Sequence, residues 1–375
     1  MKATQVAFFI CLTVSKIFDI NFYMEETKNE IVESVQPKIE NKIVIQRKSN
    51  FELLRIIAMI MITFSNIASY GDYASTLMES GLWFNKILHS LMTVGGYVGV
   101  NLYVLISAYF LCKTEKFNLK KLLNISSITA LYSIGFFVVF SIVNSGNFTL
   151  QNFLGAVLPI IYQTYWFVTV YFVMLLVSPL LNIIIRNINA KQYLIICGVM
   201  LSMYVLINAL TGHSFDMSRV DWFIALYFCG SFIRIYADKI KINYVLFILL
   251  TILNFIVMTV GAFLQTDGME INSILIVLSS LFIFLMFSKF TFTSKTVNFI
   301  ARHTFGMYLF QDYFLFRSVL YVSIFNFPHF ATTPYFILMI FACLVFVFVC
   351  ALVIESIRKL FVWIGCNIAL SIKTR

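Results

Sequence analysis

The sequence has few charged residues for its length. Only 12% of the 375 residues are charged, whereas 61% are apolar. Soluble domains carry roughly a quarter charged residues, so this chain cannot cover a folded core with a water-facing surface. The scarcity of charge excludes a soluble globular protein and indicates an integral membrane protein.

The sequence also lacks the alternating apolar and polar segments of a transmembrane β-barrel. It contains instead many apolar stretches of about 20 residues, the length that a helix needs to cross the hydrocarbon core. Backbone polar groups in lipid must be satisfied within the fold, so we predict an all-α fold, a polytopic bundle of about ten transmembrane helices. The predicted spans are residues 51–71, 88–112, 122–143, 163–185, 192–210, 220–236, 242–264, 270–288, 299–325 and 334–355.

Two further absences limit the classes of ligand. The seven cysteines are scattered and none stands in a C-x-x-C pair, so the sequence predicts neither a metal site nor a disulfide framework. The net charge of +10 comes from basic residues in short loops. No basic patch is interleaved with aromatic residues, so we do not expect a nucleic-acid partner.

The loops divide sharply by their basic residues. Loops assigned to one side of the membrane hold 21 lysines and arginines, and those assigned to the other side hold 2. Basic residues mark cytoplasmic loops, and a missed or false span would scramble this alternation. We therefore predict that both ends of the ten-helix bundle lie in the cytoplasm.

The chain divides into two parts at the start of the first span. Residues 1–50 are predicted to form an N-terminal extension and cytoplasmic arm, and residues 51–375 to form the transmembrane domain. The apolar run at 5–15 is too short for a span, and no small-residue cleavage site follows it. Met24 as an alternative start and an amphipathic surface anchor both remain open.

The first span carries polar residues that lipid does not readily accommodate. Glu52 and Arg55 lie three positions apart and can pair, either as a plain interfacial ion pair or as part of a site. Arg55 and Asn66 are about three helical turns apart, roughly 16 Å along one face. Ser65 precedes Asn66 on the same helix. A long ligand that enters at one side could run along this face.

Two other spans contain candidate site residues. Asn101 follows the glycine-rich segment 95–99, whose small residues favour close helix packing, and its deeper amide needs a polar partner. Trp166 stands at the outer end of the fourth span, where an aromatic residue belongs either to the interfacial belt or to the lining of a site.

The ninth span contains Gln311, Asp312 and Arg317. An aspartate and an arginine within one apolar helix are costly in lipid and mark a functional site by default. The alternative is an internal structural ion pair. We prefer a pair that faces substrate.

Four segments of the sequence resemble the membrane-bound acyltransferase family 3, bacterial O-acyltransferases that decorate surface polysaccharides. The segments are SNFELLRIIAM (49–59), GVNLYVLISAYFL (99–111), YWFVTVY (165–171) and TFGMYLFQD (304–312). The resemblance implies a ten-helix bundle in the cytoplasmic membrane of a bacterium. It also implies that an acyl group, usually acetyl from cytoplasmic acetyl-CoA, passes to a hydroxyl of a glycan or lipid-linked sugar near the outer face.

The resemblance assigns roles to individual residues. Arg55 would contact the CoA-bearing donor, with Glu52 beside it, and Asn66 would occupy the position of the catalytic base. The family has histidine at that position and often a second histidine at the position of Ser65. Trp166 belongs to one of the four matching segments, and we predict that it binds substrate.

The remaining site residues follow in the same way. Asn101, Asp312 and Arg317 would help to line the site. Gln311 stands before Asp312 where the family commonly has histidine, so a second expected imidazole is replaced by an amide.

The replacement of histidine by asparagine changes the chemistry. An imidazole accepts a proton near neutral pH, whereas an amide does not, and general-base catalysis typically contributes about 10²- to 10⁴-fold. Asp312 is then the remaining buried group that could act as the base. His89, His213 and His329 lie toward the outer side, and His303 is placed too near the cytoplasmic end to serve.

We therefore predict a membrane acyltransferase with acyl-CoA and a glycan or lipid-linked sugar as its partners in the bilayer. The alternative is a catalytically inactive member of the family that acts as a binding partner or as a glycan-lipid transporter.

Overall fold

The computed structural model describes residues 48–114, 117–211, 219–239, 242–264 and 273–373. Within these ranges all regular secondary structure is helical, which confirms the all-α class. The predictions for the arm before residue 48 and for His213 fall outside the described residues.

The α-helices are numbered in chain order. They are α1 (Ser49–Tyr70), α2 (Ala74–Glu79), α3 (Trp83–Leu111), α4 (Leu119–Val143), α5 (Leu150–Val157), α6 (Trp166–Asn187), α7 (Ala190–Thr211), α8 (Arg219–Tyr236), α9 (Tyr244–Phe263), α10 (Ile274–Lys289), α11 (Lys295–Ala301), α12 (Thr304–Gln311), α13 (Phe314–Ser318), α14 (Phe327–Phe330) and α15 (Phe336–Lys373). A π-helix, Val319–Ile324, continues α13.

The first eight predicted spans each coincide with one helix, from α1 to α10 without the short α2 and α5. Among the described residues, six helices are long and apolar enough to cross a membrane, namely α1, α3, α4, α6, α9 and Phe336–Leu360 of α15. Helix α8 carries three charged residues and α10 has only 16 residues. The chain thus has the helices of a multi-pass membrane protein, and the number of ten spans stays a prediction.

The ninth predicted span is not one helix. It is broken at Arg302–His303, between α11 and α12, and again at Asp312–Tyr313, before α13. At the first break a ring nitrogen of His303 hydrogen-bonds the carbonyl of Phe299 at 2.8 Å. Side-chain hydrogen bonds of this kind compete with the helical backbone ladder. The hydropathy pattern predicted that Asp312 and Arg317 share one helix. The structure shows that they do not.

The tenth predicted span is longer than expected. The sequence analysis ends it at residue 355 and treats the remainder as a basic tail, whereas α15 continues to Lys373. Residues 356–373 contain no proline, so nothing in the local chemistry stops the helix. This correction brings residues after 355 into the bundle.

The centre of the bundle is the contact between α1 and α3. A Cβ atom on Gly99 would lie 2.7 Å from the carbonyl oxygen of Ala58, so the two backbones touch there. The predicted packing role of the glycines is confirmed. Helix α3 is buried over most of its length, whereas α9 is almost entirely exposed. Large exposed apolar side chains such as Ile142 and Val143 fit a surface that faces lipid.

Candidate functional site

A cavity of about 390 Å³ opens near the start of α1 and is called the basic cavity here. Glu52 and Arg55 line it and are paired, with Nη1 of Arg55 2.9 Å and 3.0 Å from the two carboxylate oxygens. The other charged or titratable side chains of its wall are Arg302, His303, Glu355, Arg358 and Lys359, with the tyrosines Tyr103 and Tyr171.

A second ion pair on the same wall comes from α15. Arg358 donates from Nη2 and Nε to the two carboxylate oxygens of Glu355, at 2.5 Å and 2.7 Å. Arg358 is 3% exposed and Lys359 is exposed. The predicted span ends at residue 355, so Arg358 and Lys359 were not expected in the wall of a cavity. The signal that could have found them is the repeated E-x-x-R spacing, which Glu52 and Arg55 share.

His303 also lines the basic cavity. The prediction that it lies near the cytoplasmic end is compatible with this position, and the prediction that it is a poor candidate for the base stays a prediction. Its Nδ1 hydrogen-bonds the carbonyl of Phe299, and Thr304 beside it begins α12. The histidine is therefore fixed in the wall that also carries Arg55.

A second cavity of about 330 Å³, called the tryptophan cavity here, contains three of the predicted site residues. Trp166, Asp312 and Arg317 line it together. The rest of its wall is neutral and mostly polar: Gln151, Asn152, Gly155, Tyr162, Gln163, Thr164 and Phe314. For Trp166 the structure favours a lining role over the interfacial belt.

Asp312 and Arg317 each have their own partner. The hydroxyl of Tyr308 donates to Oδ2 of Asp312 at 2.6 Å, and the guanidinium of Arg317 lies 4.1 Å from the ring centroid of Tyr70. None of the ion pairs among the described residues joins Asp312 to Arg317. The two side chains are therefore not in direct contact, and both line the tryptophan cavity.

The two cavities lie at opposite ends of α12. This helix runs from Thr304, in the wall of the basic cavity, to Asp312 at its end, and its eight residues span about 12 Å. Helix α1 follows the same course, from Arg55 to Tyr70 beneath Arg317. The predicted site residues are thus divided between the two cavities or line neither of them.

One layer of aromatic rings separates the cavities. Trp166 lines the tryptophan cavity, and its neighbour Phe167 lines the basic cavity. The ring of Phe167 lies 5.6 Å from the ring of Tyr308, whose hydroxyl reaches Asp312. Tyr308 therefore contacts the wall of one cavity through its ring and the carboxylate of the other through its hydroxyl.

The two amides that replace the expected histidines lie in neither cavity. Gln311 is fully buried, with Oε1 accepting from the hydroxyl of Tyr321 at 3.2 Å and Nε2 3.7 Å from the sulfur of Met59. Asn66 interacts with the same tyrosine, and its buried Nδ2 has no hydrogen-bond partner among the described residues. Tyr321 thus links the two positions inside the bundle.

The other polar candidates are packing residues in this structure. Asn101 is fully buried and its Oδ1 accepts from the indole nitrogen of Trp222 at 3.0 Å, which confirms that it needs a partner. Ser65 lies against Gly96, where a Cβ atom would be only 2.1 Å from the serine side chain. Neither lines the two cavities.

The predicted outer histidines lie away from both cavities. Nδ1 of His89 is 3.3 Å from the hydroxyl of Tyr73. Burial raises the pKa of Tyr73 above its ordinary value, so the hydroxyl keeps its proton. His329 is exposed. Neither histidine is placed to serve Asp312 or Arg55.

Of three comparisons with known proteins, one found a match. Neither the curated proteins nor the solved structures include a match to this chain. The family model of acyltransferase family 3, described as an acyltransferase domain, matches residues 48–354. That range includes the residues that line the two cavities, except Glu355, Arg358 and Lys359 of α15. The chain therefore belongs to acyltransferase family 3.

Proposed function

We propose that this membrane acyltransferase moves an acyl group, usually acetyl, from a cytoplasmic acyl-CoA to a hydroxyl of a surface polysaccharide or lipid-linked sugar. The observation that carries the proposal is the pair of cavities at opposite ends of α1 and α12, separated by one aromatic layer. Their opposite chemistry matches a donor that enters from one side of the membrane and an acceptor that enters from the other.

The basic cavity suits the donor. Arg55, Arg302, Arg358 and Lys359 line it together, and guanidinium groups bind phosphate oxygens through paired hydrogen bonds. The loops at this end of the bundle are those rich in basic residues, which supports a cytoplasmic position of the cavity under the positive-inside rule. Coenzyme A carries its phosphates at one end of a long arm, and the cavity extends inward as far as Phe167.

The tryptophan cavity suits a sugar. Trp166 offers an aromatic surface, although Arg219 covers part of it at 4.3 Å, and neutral amides offer hydrogen bonds to hydroxyl groups. Asp312 is the carboxylate of this wall and would take the proton of the acceptor hydroxyl. Tyr308 holds the carboxylate in place, and the charge of Arg317 would stabilise the negative charge that develops on the substrate.

The amides of Asn66 and Gln311 take no proton in this proposal. They line neither cavity and share Tyr321, so their role is to position the helices around the cavities. This assignment leaves Asp312 as the base in place of the histidine that the family has in its first helix.

The test is transfer of labelled acetyl from acetyl-CoA in membranes that contain the protein and its glycan acceptor. We expect labelled acceptor with the unaltered chain and with Asn66→His, and a loss with Asp312→Asn. A matched control is Gln192→Asn, a polar exchange on the exposed surface near the start of α7. Absence of labelled acceptor with every folded variant would contradict the proposal.

A non-catalytic role has one specific observation in its favour. Asn66 and Gln311 line neither cavity, so the two positions that would hold catalytic histidines hold structural amides. A binding partner or glycan-lipid transporter on the same scaffold would need no base. If Arg55→Ala and Asp312→Ala leave glycan acetylation unchanged while deletion of the gene alters glycan export, this alternative is correct.

A further inference from the structure

Two arginines lie at the tryptophan cavity, and each contacts an aromatic ring. Arg317 lines the cavity, with its guanidinium 4.1 Å from the ring centroid of Tyr70. Arg219 lies 4.3 Å from the ring centroid of Trp166, which also lines the cavity. None of the ion pairs within the described part of the chain involves either arginine. The charge of each guanidinium is therefore available to a ligand.

The nearby carboxylates have other partners. Asp312 is the one acidic side chain among the described residues that line this cavity, and it accepts from the hydroxyl of Tyr308 at 2.6 Å. Asp221 follows Arg219 by two positions, but its oxygens accept from the hydroxyl of Tyr204 and from the next backbone nitrogen. At most one negative charge in the cavity wall thus opposes the two positive charges.

The position of Arg219 is unusual for a basic residue. The loops predicted on this side of the bundle contain two basic residues, Lys86 and Arg219. Lys86 donates from Nζ to the backbone carbonyl of Met78 at 2.7 Å, so its charge has a structural partner. No hydrogen bond or ion pair among the described residues engages Arg219 in the same way. Its contact is with the ring of Trp166 in the cavity wall.

Tyr70 shows that the two arginines are neighbours. Its ring contacts Arg317, and its side chain interacts electrostatically with both guanidinium groups. A guanidinium presents paired N–H donors whose geometry matches the oxygens of a carboxylate or a phosphate. Two such groups beside a wall of neutral amides suit a ligand that carries hydroxyl groups and one acidic group.

We infer that the acceptor is an acidic sugar derivative, whose carboxylate or phosphate is bound by Arg219 and Arg317. The inference rests on the proposed function, because it names the class of acceptor for the same cavity. Two sources supply such a group, the carboxylate of an acidic sugar residue and the phosphate that links a sugar to a lipid carrier. When Arg219 turns to the acidic group, it also uncovers the ring of Trp166 for the sugar.

The experiment measures how well sugars protect a cysteine in the cavity wall, Gln151→Cys, from a maleimide. The purified protein is labelled in detergent, and modification of position 151 is read by mass spectrometry. The probes are methyl glucuronide, glucose 1-phosphate and the neutral methyl glucoside. Arg219→Gln and Arg317→Gln are each combined with the cysteine. The matched control is Lys86→Gln, which removes a charge on the same side and can still donate to the carbonyl of Met78.

We expect an acidic probe to halve the labelling rate at a concentration about 10-fold below that of methyl glucoside. Arg317→Gln should raise this concentration about 10- to 100-fold, the range for a hydrogen bond to a charged group. Arg219→Gln should raise it about 2- to 5-fold, because Arg219 is exposed and solvent weakens its interactions. Protection by methyl glucoside should not weaken in either variant, and Lys86→Gln should change neither kind of protection.

The two acidic probes distinguish the sources of the charge. Stronger protection by methyl glucuronide assigns the acidic group to a sugar residue, and stronger protection by glucose 1-phosphate assigns it to a phosphate link. Equal protection by both supports a site that accepts either anion.

Three results would overturn the inference. They are protection by methyl glucoside that equals or exceeds that of both acidic probes, absence of protection by every probe, and equal weakening of acidic and neutral probes in folded arginine variants. In the last case the arginines would only shape the cavity. Transfer of labelled acetyl from acetyl-CoA tests the proposed function separately, because it can proceed to a neutral glycan when the acidic probes fail.

Discussion

The basic cavity and the tryptophan cavity share two helices yet differ in almost every chemical respect. The first is walled by two glutamate–arginine pairs with further basic side chains, the second by a tryptophan, neutral amides, one aspartate and one arginine. Charges of the first kind recognise a polyanion, and neutral hydrogen-bonding groups recognise hydroxyls. The difference teaches that one bundle can form two chemically unlike cavities with only a layer of rings between them.

The largest effect is expected from Asp312→Asn, which alters the tryptophan cavity. The amide oxygen still accepts from Tyr308, but it takes no proton, so kcat should fall by about 10²- to 10⁴-fold with the KM for the acyl donor unchanged. Steady-state transfer of labelled acetyl measures both constants. Tyr308→Phe is the companion variant, since it removes the hydrogen bond at 2.6 Å and keeps the carboxylate.

An unchanged kcat in Asp312→Asn would contradict the proposed roles of the two cavities, because the tryptophan cavity would then contain no base. If only the KM for the acyl donor rises, Asp312 acts on the donor in the basic cavity and not on the acceptor.

The next effect is expected from Arg55→Ala in the basic cavity. Hydrogen bonds to charged groups contribute about 1.5–3 kcal/mol, so the KM for the acyl donor should rise about 10- to 100-fold while the acceptor KM stays the same. Lys121→Ala, an exposed basic residue at the start of α4, supplies the control for lost surface charge. A change in acceptor KM instead would assign Arg55 to the other substrate.

The smallest effect is expected from Trp166→Ala. Aromatic contacts contribute about 0.5–1.5 kcal/mol beyond the area that they bury, so the acceptor KM should rise about 2- to 10-fold with the donor KM unchanged. Trp83→Ala serves as the control, because that tryptophan is 68% exposed at the start of α3. Equal effects of the two substitutions would show that Trp166 acts as a membrane anchor and not as a sugar contact.

The sequence predicted well what depends on local pattern. Hydropathy placed the helices from α1 to α10, and the three-residue spacing of Glu52 and Arg55 predicted their pair. The glycine-rich segment predicted the close contact of α1 with α3. Family resemblance pointed to Trp166, Asp312 and Arg317, which the structure brings to one wall.

The sequence did not predict what depends on tertiary contacts. The helix break at His303 involves a hydrogen bond from its side chain to the carbonyl of Phe299, a contact that exists only in the folded segment. Hydropathy therefore predicted a continuous helix there. The ring layer joins Phe167 of α6 to Tyr308 of α12, elements that are distant in the chain. The predicted site therefore merged the two cavities and included Asn66 and Gln311, although neither residue lines them.

The most direct test of the account is the sidedness of the two cavities. Cysteines introduced singly as Ser107→Cys in the basic cavity and Gln151→Cys in the tryptophan cavity are treated with a membrane-impermeant maleimide, in intact cells and in inverted vesicles. The unsubstituted chain gives the background of its own cysteines. We predict that Gln151→Cys reacts only in intact cells and Ser107→Cys only in inverted vesicles. Reaction of both cysteines from the same side would contradict two cavities that open on opposite faces of the membrane.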